Sequence, residues 1–220
     1  MCRSLPSRPA VRYDELDGVT LDVHGTLVRL VDPMPALAAA LRERGVERRR
    51  EEIAAAFAAE GRFYDAHSHE GRDEASLADL GRRSAGVFLD ALGAGLDPDE
   101  FAEPYVGALR FEPIDGARET LATLRAKGLR LAAVTNWDVS VHRWLAELGF
   151  RELLDVVVTA AETGARKPDG TPILAALAHI GADPRRAAHV GDAEIDRRAA
   201  EAAGVRFLRT PLRDAFAGWT

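Results

Sequence analysis

The chain has 220 residues, enough to bury one sizeable core and a smaller second unit. Its net charge is −6, and its arginines are scattered in pairs such as Arg82-Arg83, Arg185-Arg186 and Arg197-Arg198, which argues against a nucleic-acid partner. The one cysteine, Cys2, excludes an internal disulfide framework; with no apolar run of membrane-spanning length and no secretory-type apolar stretch near the start, the expectation is a soluble cytoplasmic protein without a membrane partner, residues 1–15 forming a flexible tail.

In chain order, the first element is the apolar run Val19-Thr-Leu-Asp-Val-His-Gly-Thr-Leu-Val28. It predicts a buried strand over residues 19–23 that carries Asp22 to its C-terminal tip, then a turn at Gly25-Thr26 whose glycine lets backbone N–H groups approach an anion. Residues 36–44, 49–64, 76–92 and 99–109 then show helical periodicity without a convincing strand, broken by Gly45, a turn at 67–72 and residues 95–98. Arg62, Tyr64, His67 and His69 are the polar groups of this block that could close over a ligand. His67-Ser68-His69 has no third metal ligand at a supporting spacing and reads as a polar loop.

Beyond the block the pattern becomes alternating. Strands are predicted at 130–134, 156–158, 187–190 and 205–208; helices at 116–127, 139–148 and 171–180 end at Gly128, Gly149 and Gly181. The fold class is therefore α/β: a Rossmann-like parallel sheet of five main strands with an all-helical insertion. The predicted boundaries are a discontinuous core, 16–31 with 112–220, and a helical unit at 32–111.

In an open parallel sheet ligands bind beyond the carboxyl ends of the strands, where Asp22, Thr135 and Asp192 all fall. A carboxylate such as Asp22 can attack phosphorus or an activated carbon if a cation offsets its repulsion from an anionic substrate, and Lys167, in Gly164-Ala-Arg-Lys-Pro-Asp169, is such a point charge. Thr135 and Asn136 could hold phosphoryl oxygens. Asp192 would ligate a hard cation such as Mg2+, with Asp196, one helical turn onward, supporting it.

In that order these segments resemble the four motifs of the haloacid dehalogenase-like hydrolase superfamily, a resemblance that runs from Leu16 almost to the end of the chain. It implies a helical cap of the family's first type, catalytic roles for Asp22, Thr135 and Lys167, substrate contacts from Thr135, Asn136 and Lys167, and a metal site from Asp22, Asp192 and the backbone carbonyl of His24. Family phosphatases carry a second aspartate two positions after the nucleophile; this chain has His24, whose imidazole would have to do its proton transfers. The resemblance implies first a Mg2+-dependent phosphatase of a small phosphorylated metabolite. Second comes a dehalogenase-like carbon–halogen hydrolase, in which Thr135-Asn136 would be the hydroxyl–amide pair and Arg29 would clamp a substrate carboxylate. Third comes a catalytically impaired phosphate-binding or interaction protein. The sequence is silent on oligomeric state.

Overall fold

A computed structural model of the protein describes residues 15–217; the predicted N-terminal tail, with Cys2, lies outside them except for Glu15. The described residues form a parallel sheet of five strands: β1 (Gly18–Leu21), β4 (Arg130–Thr135), β5 (Val156–Thr159), β6 (Ala187–Gly191) and β7 (Arg206–Arg209), in the order β5-β4-β1-β6-β7. All five coincide with strands expected from the sequence. The inner strands β1, β4 and β6 are buried along almost their whole length because both faces are covered. Leu131 and Ala133 point to the side of α5 (Ala117–Ala126) and α6 (Val141–Glu147), while Ala132 and Val134 point to α8 (Thr171–Ile180) and α9 (Glu194–Ala203).

Register decides where the site lies. Leu21 pairs with Ala133 on one side and Val190 on the other, so the next residues of all three strands emerge at one edge of the sheet.

Two further strands went unpredicted. β2 (Val28–Leu30) and β3 (Phe111–Pro113) form an antiparallel pair in which Arg29 faces Glu112. Each spans only 3 residues, too short for an alternating pattern to register. The ribbon joins entry and exit of a helical block: α1 (Met34–Arg42), α2 (Arg50–His67), α3 (Glu74–Leu92) and α4 (Pro98–Ala108). The block has its own core, including Leu37, Leu41, Ile53, Phe88, Phe101 and Tyr105. α2 continues past its predicted end at Tyr64 to His67, then gives a 3-10 turn at Ser68–Glu70. A short α7 (Ala160–Thr163) follows β5 and a short α10 (Leu212–Ala215) follows β7. No helix among the described residues is long and apolar enough to cross a membrane.

Candidate active site

Asp22 follows β1 directly, and its amide donates to the Val190 carbonyl of β6 at 2.8 Å, which fixes the turn-off of the chain. Lys167 reaches it from the loop between α7 and α8. The ammonium donates to Asp22 Oδ1 at 2.5 Å and to Asp196 Oδ1 at 2.6 Å, with all three side chains almost fully buried. A charged group this deep survives only when paired and hydrogen-bonded, and here one lysine answers two carboxylates.

The electrostatics follow from that arrangement. Burial lifts the pKa of Asp22 to about 6, opposed by Lys167 and reinforced by Asp196. Burial also works against ionisation of Asp196, but contact with His189 and Lys167 holds its carboxyl well below the usual range. For Lys167, burial pulls down while the two carboxylates pull up harder, so it stays charged.

Two glycines make the carboxylates fit. At Gly191 a Cβ would collide with the Asp196 side chain, and at Gly25, with φ +82°, it would collide with the Asp192 carboxylate. The Gly25 amide itself donates to the Val28 carbonyl at 2.8 Å. The absence of a side chain at Gly25 makes room for Asp192. Oxygens of Asp22, Asp192 and Asp196 lie within 4.8 Å of one another, with Asp192 exposed. This all-oxygen set suits a hard divalent cation. Asp196 has less to offer one, since Oδ1 accepts from Lys167 and Oδ2 accepts from the Ala193 amide at 3.1 Å.

Thr135 is buried at the end of β4 and its Oγ1 accepts from the Trp137 amide at 3.3 Å, which leaves its hydroxyl proton to donate. The side chain of Asn136 is turned toward the lysine loop. Its Nδ2 donates to the Lys167 carbonyl at 2.9 Å and its Oδ1 accepts from the Lys167 amide at 2.8 Å, so the side chain grips the lysine's backbone. His24 is exposed, its ring set edge-on to Phe111 and Trp137 with centroids 6.4 Å away in each case.

Of the polar groups in the helical block, Tyr64 and Ser68 reach the sheet edge. Tyr64 donates to Asp138 Oδ2 at 2.7 Å and Ser68 to the Asn136 carbonyl at 2.6 Å. Arg62 folds back onto the Ala58 carbonyl of its own helix, and His67 stacks on Phe63. His69 sits in the 3-10 turn with Nδ1 buried and unpartnered. Arg29 forms an ion pair with Glu112 at 2.7 Å.

His189 escaped the sequence reading. It is fully buried on β6, with Nδ1 2.9 Å from Thr20 Oγ1 and Nε2 3.5 Å from Asp196 Oδ1, long for a hydrogen bond but close enough for a ring N–H to favour the carboxylate. Burial pushes its pKa down to about 4, so it packs behind Asp196 as a neutral ring. The available signal was a histidine inside the apolar run Ala187-Ala-His-Val190, since a buried imidazole needs a polar neighbour.

A parallel sheet with a buried carboxylate–lysine–carboxylate cluster at its C-terminal edge defines a hydrolase fold of a known kind. The haloacid dehalogenase-like hydrolase family matches residues 16–204, and the chain belongs to that family. It is 32% identical over 187 residues to "Haloacid dehalogenase-like hydrolase domain-containing protein 3" of Homo sapiens, covering 79% of this chain and 73% of that protein. It is also 32% identical over 146 residues to a phosphoglycolate phosphatase of Caulobacter vibrioides, covering 65% and 62%. The match to the mouse counterpart of the human protein spans about half of it, 49%. Among solved structures, a β-phosphoglucomutase-like protein from Thermotoga maritima shares the fold with a TM-score of 0.66 at 19% identity, covering 87% of this chain and 84% of that one.

Proposed function

We propose that the chain is a Mg2+-dependent phosphatase of a small phosphorylated metabolite, that α1–α4 form a cap of the family's first type over residues 32–111, and that His24 stands where family phosphatases have a second aspartate. The observation that carries this reading is the buried Asp22–Lys167–Asp196 cluster with Asp192 beside it, a nucleophile and an oxygen-donor set at one sheet edge. The phosphatase relatives point the same way.

In this mechanism Lys167 holds Oδ1 of Asp22, and the other oxygen attacks phosphorus to give an aspartyl-phosphate. Thr135 donates its hydroxyl to a phosphoryl oxygen as charge shifts onto it. His24 protonates the departing oxygen and then takes a proton from the water that cleaves the acyl phosphate. Asp22, Asp192 and the His24 carbonyl would hold Mg2+, with Asp196 steadying Lys167 behind them. A bound divalent cation would supply shielding between the nucleophile and the phosphoryl oxygens.

The dehalogenase reading would need Asn136 free to serve in the hydroxyl–amide pair and Arg29 free for a substrate carboxylate. The first grips the Lys167 backbone and the second pairs with Glu112, so this reading is the weaker. Purified protein should hydrolyse a generic aryl phosphate with Mg2+ and stop when the metal is chelated. Halide release from a 2-haloacid in chelator, with no phosphate released from any ester, would reverse the assignment. Phosphate binding without turnover would make the chain a binding protein.

A further inference from the structure

The loop after β4 is held from two sides. From the helical block, Ser68 donates to the Asn136 carbonyl at 2.6 Å, Tyr64 donates to Asp138 Oδ2 at 2.7 Å, and the Gly71 carbonyl accepts from the Val139 amide at 3.0 Å. The approach is close: a Cβ at Gly71 would meet Asp138 Cβ at 2.8 Å. From the opposite side, Asn136 answers both main-chain groups of Lys167, at 2.9 and 2.8 Å, as a neighbouring strand would. Lys167 in turn holds Asp22 and Asp196.

These bonds form one continuous path. It runs from the Ser68 hydroxyl through the Asn136 peptide and amide to the Lys167 backbone, and from the ammonium to the nucleophile. We infer that Ser68 and Asn136 are positioning residues, by which the helical block's grip on the Asn136 carbonyl sets the seat of Lys167. Seating of the block is thereby felt at Asp22 through the lysine. The path explains why Asn136, which the sequence offers as a ligand contact, turns its amide to the lysine loop. It rests on the phosphatase reading only for its kinetic arm; the structural arm stands without it.

The test uses the full chain with Ser68→Ala, Asn136→Ala, Asn136→Asp and the double Ser68→Ala/Asn136→Ala variant. Hydrogen exchange of the Lys167 amide is followed by NMR, orthovanadate affinity by calorimetry, and kcat and KM on an aryl phosphate. Losing one neutral hydrogen bond corresponds to a factor of about three to ten, so Ser68→Ala should speed Lys167 amide exchange by that factor and lower kcat similarly, with orthovanadate affinity changed by no more than about twofold. Asn136→Ala removes both bonds to the lysine backbone and should lower kcat by about a hundredfold. Asn136→Asp keeps the acceptor for the Lys167 amide, so that amide should stay nearly as protected as in the parent. The double variant should be no worse than Asn136→Ala, because the path is already cut.

Unchanged Lys167 exchange in Ser68→Ala would overturn the inference, as would losses that multiply in the double variant. If Asn136→Ala instead weakened orthovanadate by about tenfold or more with kcat kept, Asn136 would be a ligand contact and the inference would fall. A parent with no phosphatase activity would remove the function reading, while the exchange measurements still decide the positioning.

Discussion

The sheet edge and the helical block both bury carboxyl groups, and they surround them with different partners. At the edge, Asp22 and Asp196 are 7% and 1% exposed and share a lysine ammonium. In the block, Glu60 is 5% exposed and has no cation among its strongest influences; it lies beside the hydroxyls of Tyr105 and Ser84, at geometry too poor for a full hydrogen bond to either. Burial therefore raises the Glu60 pKa, opposed only in part by the Tyr105 and Ser84 hydroxyls. At the edge, burial is met by Lys167, and Asp196 stays ionised. Burying an acid is thus not enough to build reactive chemistry; a charge partner from another segment sets how far the effect of burial is offset.

The largest effect expected is from Asp22→Asn. An amide of similar shape cannot form the acyl phosphate, so turnover should fall by about ten-thousandfold while the chain still folds, with no loss of melting temperature at neutral pH. Activity near the parent level would remove Asp22 from its role.

Lys167→Met breaks the comparison directly, since it leaves two buried carboxylates without a cation. Removing one partner of a buried pair costs about 3–5 kcal/mol, to be read from denaturant melts without metal. The pH dependence has a definite sign. Asp22 has a folded pKa of about 6 against an ordinary 3.8, so the folded parent binds the extra proton and loses stability as pH rises across that window. Without Lys167 the window should widen upward, and the variant should recover stability as pH is lowered. A loss independent of pH would indicate packing instead of charge.

A smaller change is expected at His24. The residue is exposed, so a carboxylate there costs little desolvation, and His24→Asp should raise phosphatase turnover by about two- to tenfold while His24→Ala lowers it. Equal kcat in the parent and both variants would mean that position 24 transfers no rate-limiting proton.

Much of the edge was legible in the sequence because a parallel sheet gathers its strand ends. Once the apolar runs at β1, β4 and β6 are recognised, Asp22, Thr135 and Asp192 follow from their place at the ends of those runs. What stayed hidden depends on partners distant in the chain. Asn136 shows an amide, but its partner Lys167 is 31 residues on. His189 finds Thr20 across 169 positions, and the β2–β3 ribbon pairs Arg29 with Glu112 across 83. Periodicity reports how a segment meets the core, and it does not say which side chain a polar group will meet.

The smallest effect expected lies in the block. Glu60→Gln keeps the shape of the side chain and removes its ionisation, which isolates the difference from the sheet edge. Because the folded pKa of Glu60 is raised above its ordinary 4.5, the folded state binds the proton more tightly than the unfolded chain, and stability falls as pH rises from the unfolded value through the folded one. Above that window the cost of keeping or charging the buried acid is fully present. Glutamine escapes it, so the variant should melt a few degrees higher than the parent at neutral pH, and the gap should close below about pH 4.5, where both chains carry a neutral group. Melting curves of both proteins from pH 4 to 8 give the comparison. If the variant is instead less stable by the same amount at every pH, Glu60 is held as an anion by the hydroxyls beside it, and the block treats its buried acid as the sheet edge does.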